Sequence, residues 1–302
     1  MVVSPSVYPF EGRRLDRGGG LSLHYLDEGA GEPLVMLHGN PTWSLYFRSL
    51  VTALRPRFRV IVPDHIGMGL SDKPGDDRYT YRLESRVADL ELLLERLGIV
   101  RNVTLVMHDW GAMIGMGYAS RHPDRIARLV VMNGAAFHLP RGMRVPLVMR
   151  LARDTPLGPL VVRGLNAFAE VAARVGCKRR PLSRELREAY CAPYDSWANR
   201  IATVRFVEDV PLTPEDPSYA LVSEIEAGLE HFRKTPALFC WAERDFVFPL
   251  KVLDHWLVRW PQAQVLRLPG CGHYVLEDAP EEIDQAVQAF LAAHPLALDT
   301  TG

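Results

Sequence analysis

Residues 103–118 read VTLVMHDWGAMIGMGY. Val103, Leu105 and the apolar residues around them form a short unbroken run, the pattern of a parallel strand buried on both faces. The run stops at His108-Asp109-Trp110-Gly111, after which Ala112, Met113, Met116 and Ala119 recur at helical spacing. Asp109 therefore stands in a strand-to-helix turn, with Gly111 as the small residue that a tight turn needs. A nucleophile elbow has this layout, with Asp109 here in the place usually held by serine. Two points argue for a humbler role. Aspartate is a good N-cap, and the position two before the turn, usually small, is Met107. Alone, Asp109 reads best as a cap; the company it keeps along the chain reverses that reading.

Upstream, Leu21 to Asp27 alternates like a half-buried strand. Leu34 to Leu37 reads as a buried strand ending in His38-Gly39-Asn40-Pro41-Thr42, and Trp43 to Leu54 as a helix. Phe58 to Val62 is a further strand, followed by a loop in which Gly67-Met68-Gly69-Leu70-Ser71 mimics a serine elbow but leads into no long helix. Leu83 to Leu97 is amphipathic, with Leu83, Val87, Leu90 and Leu94 on one stripe. Downstream, Ile126 to Met132 is another buried strand. This alternation predicts a mostly parallel, doubly wound α/β sheet.

The rhythm then breaks. From about Phe137 to about Pro217 there are helical and loop segments but no convincing buried strand, with Pro140, Pro146, Pro156, Pro159, Pro181 and Pro193 as punctuation. We expect a core in two parts, residues 1–136 and 218–302, interrupted by a helical cap at 137–217. The insertion is arginine-rich and carries Lys178-Arg179-Arg180. A solvated helix face is the simplest account of that charge. The α/β rhythm resumes with Ala237 to Trp241, a helix over Val252 to Trp260, and a last strand over Gln264 to Leu268. Asp278-Ala279-Pro280-Glu281 looks like a capping box opening the closing helix.

Composition narrows the function. At 302 residues, 48% hydrophobic and 24% charged, the chain can bury a core without staples. A formal net charge of −1 gives no reason to expect a nucleic-acid partner. No apolar run reads as a transmembrane helix, and the N-terminus lacks the apolar core of a signal peptide. Cys177, Cys191, Cys240 and Cys271 are widely spaced and read as buried free thiols in a reducing, cytoplasmic compartment. No cluster has metal-ligand spacing and no phosphate loop occurs, so neither metal nor cofactor is expected.

Asn40, Asp109, Asp245 and His273 all fall just past the carboxyl ends of expected strands. That edge of an open α/β sheet is where ligands bind. The order nucleophile, acid, histidine is the order of an α/β-hydrolase triad. Any one of the four has a bland reading as a cap or turn residue; four in this order do not.

On these residues the chain resembles the haloalkane dehalogenase and epoxide hydrolase branch of the α/β-hydrolases, from about Leu21 to Leu291. HGNPT at 38–42, HDWGA at 108–112, RDFVF at 244–248 and GCGHYVLED at 270–278 carry the likeness. The stretches RHPDRIARLVVMNGAAFHLP, 121–140, and APYDSWANRIATVRFVEDVPL, 192–212, resemble one subgroup, the β-lactone decarboxylases of long-chain olefin biosynthesis. The resemblance implies Asp109 as nucleophile, His273 as base and Asp245 as the acid orienting it. Some dehalogenases carry that acid before the cap, where this chain has Asn133. Asn40 and Trp110 match the pair of N–H donors for a leaving group. The same likeness implies a small apolar substrate and suggests assembly with other enzymes of olefin biosynthesis.

The chemistry fits the residue types. An ionised aspartate attacks an sp³ carbon without needing a base to activate it, and two N–H donors suit an anionic leaving group, halide or carboxylate. The expected reaction is decarboxylation of a cis-3,4-dialkyl oxetan-2-one to a cis olefin. Haloalkane hydrolysis is the nearest rival. Epoxide hydrolysis would also need lid proton donors, for which Tyr190, Tyr194 and Tyr219 are available. A non-catalytic binding protein is the alternative of a different class. Leu165, Phe168 and Trp197 are expected to help line an apolar pocket beneath the cap.

Overall fold

The computed structural model describes residues 3–296 except 141, 144 and 146, with the backbone alone at 148, 165 and 167. Its centre is an eight-stranded sheet: β1 (Arg13–Gly18), β2 (Leu21–Glu28), β3 (Pro33–Leu37), β4 (Arg59–Pro63), β5 (Val103–Asp109), β6 (Ile126–Gly134), β7 (Ala237–Ala242) and β8 (Gln264–Leu268). The order is β1-β2-β4-β3-β5-β6-β7-β8. β1 and β2 run antiparallel to their neighbours, and β3 to β8 pair in parallel. Every residue of β5 is buried, as its unbroken apolar run requires. β1 was not anticipated. Its sequence, RRLDRG, has no apolar alternation because it lies exposed at the sheet edge, where charge guards against pairing with another chain.

The chain leaves β3 for β4 on one side and then crosses to β5 on the other. The loops after β3 and β5 therefore open side by side at the carboxyl edge, with Leu37 paired to Met107. The helices are α1 (Arg48–Leu54), α2 (Leu83–Arg96), α3 (Trp110–Arg121), α4 (Leu147–Asp154), α5 (Gly158–Arg163), α6 (Ala167–Val175), α7 (Arg184–Cys191), α8 (Ile201–Glu208), α9 (Tyr219–Gly228), α10 (Leu250–Arg259), α11 (Val275–Asp278) and α12 (Pro280–Ala293). The helix expected from Trp43 opens as a 3₁₀ turn, Ser44–Phe47, before becoming α1. Helices α4 to α8 form the insertion between β6 and β7. No helix among the described residues is long and apolar enough to cross a membrane. All four cysteines are buried free thiols.

Two buried carboxylates tie the insertion to the core. Asp278 is fully buried and accepts four backbone N–H bonds: from Gly272 at 2.7 Å and from Lys178, Arg179 and Arg180 at 2.8, 2.9 and 2.7 Å. This corrects the capping-box reading. Ala279 is the N-cap of α12 and has no side-chain cap, because Asp278 faces the insertion instead. The basic cluster is likewise not a helix face. It is a loop whose backbone wraps Asp278, while Arg179 and Arg180 pair with Glu282 and Glu281 of α12 at 2.7 and 2.8 Å. At the other end, Asp209 accepts from Leu83 N at 2.7 Å, Ser218 Oγ at 2.7 Å, and Arg86 and Arg82 Nη1 at 3.1 and 3.3 Å.

Asp278→Ala strands four inward N–H groups, each worth about 1 kcal/mol or more when unpaired. We expect it to cost at least about 3 kcal/mol in urea unfolding, whereas Glu281→Ala, which removes only an exposed ion pair, leaves the midpoint almost unchanged.

Candidate active site

Asp109 ends β5 with φ +53° and ψ −125°, a conformation that L residues rarely hold. Its side chain makes no cap bond to α3. Instead Oδ1 accepts from the Asn40 backbone N–H at 2.9 Å, across the β3–β5 junction. The turn closes this tightly because glycines line it. A Cβ on Gly39 would lie 1.9 Å from Asp109 Oδ1, and one on Gly111 2.0 Å from the Leu37 carbonyl oxygen. Met107, anomalous in the sequence, is accommodated from the helix side: a Cβ on Gly115 would lie 2.5 Å from its Sδ.

His273 stands in the loop after β8. Its Nδ1 donates to Asp245 Oδ2 at 2.9 Å, and its Nε2 lies 3.6 Å from Asp109 Oδ2. Asp109, Asp245 and His273 are all buried. Asn133, at the alternative acid position, braces the end of β7 that leads to Asp245. Its side chain accepts from Ala242 N at 2.8 Å and donates to Ala242 O at 3.2 Å. His108 Nε2 donates to the His273 carbonyl at 2.9 Å, and its ring stacks on Tyr46. The sequence reading includes His108 within HDWGA but gives it no role; its place directly before Asp109 was the available signal.

Burial raises the Asp109 pKa above the ordinary carboxylate value, against the opposing pull of His273 and of the Asn40 and Trp110 backbone N–H groups. Burial alone would lower the His273 pKa, but the adjacent Asp245, with Asp109 behind it, outweighs burial and leaves it raised. Burial drives His108 well below its ordinary value, with the neighbouring His273 adding to the effect, so His108 is a neutral strut.

An apolar cavity of about 240 Å³ sits over this group, between the sheet edge and the insertion. Asn40, Asp109, Trp110 and His273 face it from the core, and Ala152, Phe168, Ala172 and Val207 from the insertion. Phe168 is thus where the sequence placed it, and the Leu165 side chain lies outside the described residues. Trp197 is a correction. It lies outside the cavity lining and is 47% exposed, with the Arg163 guanidinium 4.5 Å over its ring. The Asn40 side chain donates from Nδ2 to Thr203 O of α8 at 3.0 Å, while its Oδ1 is buried without a partner. One Nδ2 hydrogen remains for a ligand.

The family model described as the alpha/beta hydrolase fold matches residues 32–280. The chain belongs to the α/β-hydrolase family. This α/β-hydrolase is 53% identical to a cis-3-alkyl-4-alkyloxetan-2-one decarboxylase of Shewanella oneidensis, over 95% of this chain and 90% of that one. It is 46% identical to a protein of the same name from Xanthomonas campestris pv. campestris, over 96% and 98%. Among solved structures it resembles the haloalkane dehalogenase DatA of Agrobacterium tumefaciens, with a TM-score of 0.83 and 26% identity over 94% of this chain and 97% of that one.

If Asp245 holds the His273 pKa up, Asp245→Asn should move the imidazole titration to lower pH. NMR titration of the His273 ring checks this; an unchanged midpoint would mean that the 2.9 Å contact has no electrostatic consequence.

Proposed function

We propose that this protein is a β-lactone decarboxylase that converts a cis-3,4-dialkyl oxetan-2-one to a cis olefin and CO₂, with Asp109 as its nucleophile. The observation that carries the reading is the near full-length similarity to two oxetan-2-one decarboxylases in a chain whose elbow holds a carboxylate. Residues 137–217 act in this reading as the cap that excludes water.

Asp109 Oδ1 is engaged by Asn40 N–H, which leaves Oδ2 to attack. Oδ2 bonds to C4, the sp³ ring carbon carrying the ring oxygen; the C4–O bond breaks and its electron pair leaves on a carboxylate. Asn40 and Trp110 stabilise that carboxylate, a contribution of on the order of 3 kcal/mol per donor in comparable sites. Inversion sets the new C4–Oδ2 bond anti to the carboxylate on C3. The C3–CO₂ bond then breaks, its electrons form the C3=C4 bond, and the C4–Oδ2 pair returns to Asp109. No water or net proton is consumed. The alkyl groups keep the side they held in the ring, so a cis lactone yields a cis olefin.

Asp245 orients His273, whose Nε2 lies 3.6 Å from Asp109 Oδ2. In this reading His273 positions Asp109 and offsets the negative charge of the carboxylates rather than activating water. Of the tyrosines that epoxide hydrolysis would need, Tyr190 donates to Glu277 and Tyr194 to Thr42 O at 3.5 Å, while the Tyr219 ring stacks on His138. None of the three lines the cavity. The buried thiols fit a cytoplasmic setting.

Incubation with a haloalkane, an epoxide and a cis-dialkyl β-lactone separates the readings. We expect olefin from the lactone, lost by at least about 10³-fold in folded Asp109→Ala. Halide release with no olefin would make the protein a dehalogenase instead.

A further inference from the structure

The cavity over Asp109 is not alone. A second apolar cavity, of about 120 Å³, opens from the same carboxylate and runs between Met113, Ala135, Phe137, Leu139 and Phe248. Asp109, Trp110, Met149, Val210 and Val247 border both. The two spaces are therefore arms that diverge from Asp109. The wide arm leads beneath α4, α6 and α8; the narrow arm leads along the segment that follows β6. Beyond the shared junction, the wall of the narrow arm is apolar among the described residues except for His138, whose Nε2 is held by Ser223 Oγ at 2.8 Å. The wide arm beyond Asn40 and His273 is aliphatic and aromatic. A dehalogenation substrate with one chain would need one such arm, whereas a 3,4-dialkyl lactone carries two chains on adjacent carbons.

We propose that each arm takes one alkyl group of the lactone, the wide arm having room for a longer chain than the narrow one. This rests on the decarboxylase reading. In-line attack on C4 fixes how the ring sits over Asp109, so the C4 alkyl group always enters one arm and the C3 alkyl group the other. Ala172 of α6 and Ala135 after β6 are then specificity-determining positions, one for each arm. Filling either arm penalises chains on one ring carbon only, because a hydrophobic pocket discriminates by the methylenes it has room for.

The test uses two regioisomeric cis lactones, one with octyl on C3 and methyl on C4, the other reversed. For wild type, Ala172→Phe and Ala135→Phe, the ratio of kcat/KM between the two is measured. The ratio is internal to each protein, so partial loss of folded enzyme cancels. Val175→Phe for the wide arm and Leu139→Trp for the narrow arm replace a first variant that fails to fold. We expect the ratio to move at least about tenfold, in opposite directions for the two arms. A shift in the same direction for both, or none, would overturn the two-arm assignment while leaving decarboxylation intact. No olefin from either lactone with wild-type enzyme would overturn the decarboxylase reading, and this inference with it.

Discussion

The site depends on holding one carboxylate where a folded chain would not otherwise leave it. Asp109 combines a left-handed φ with near-complete burial, and each is unfavourable by itself. The parallel pairing of β3 with β5 offsets both. It places the Asn40 N–H against Oδ1, and Gly39 and Gly111 allow the two backbones to approach closely enough for that bond. The consequence is directional. One carboxylate oxygen is tied down, and the other faces His273 and an apolar cavity.

The insertion forms the far wall of the cavity, and that roof is pinned by polar contacts as well as by apolar packing. Asp278 reaches from the core to grip the backbone of the insertion at 178–180. Asp209 reaches from the insertion to grip the start of α2. Asp278 also binds Gly272 N, next to His273, so the same carboxylate fixes the roof and the histidine loop. The insertion and the loop that carries His273 are thereby linked through one side chain. Arg86, buried against Asp209, stacks 3.7 Å from the Phe206 ring centroid, and Phe206 in turn packs on Trp110.

Much of this was legible in the sequence because periodicity and chain order carry it. The unbroken apolar runs became β3 to β7, and the residues just past them converged at one edge, since parallel strands present all their carboxyl ends together. What was not legible depended on partners far away in the chain. Asp278 looked like a local cap because nothing near it reveals three N–H groups about a hundred residues upstream. Trp197 looked like a pocket residue because hydrophobicity alone does not say that an arginine will cover it at the surface. β1 went unseen because an exposed edge strand needs no apolar face. Met107 looked like a flaw in the elbow until Gly115, one helical segment later, supplied the missing space.

The central claim is that Asp109 both forms and releases the alkyl ester, without water. Its most direct test is a single turnover of a cis-dialkyl β-lactone by fresh enzyme in ¹⁸O-water, followed by mass spectrometry of the peptide containing Asp109. The account predicts olefin with no label in that peptide, because C4–Oδ2 cleavage returns the original oxygen. One ¹⁸O atom on Asp109 after olefin formation would show that water opens the ester at its carbonyl, and would contradict the account.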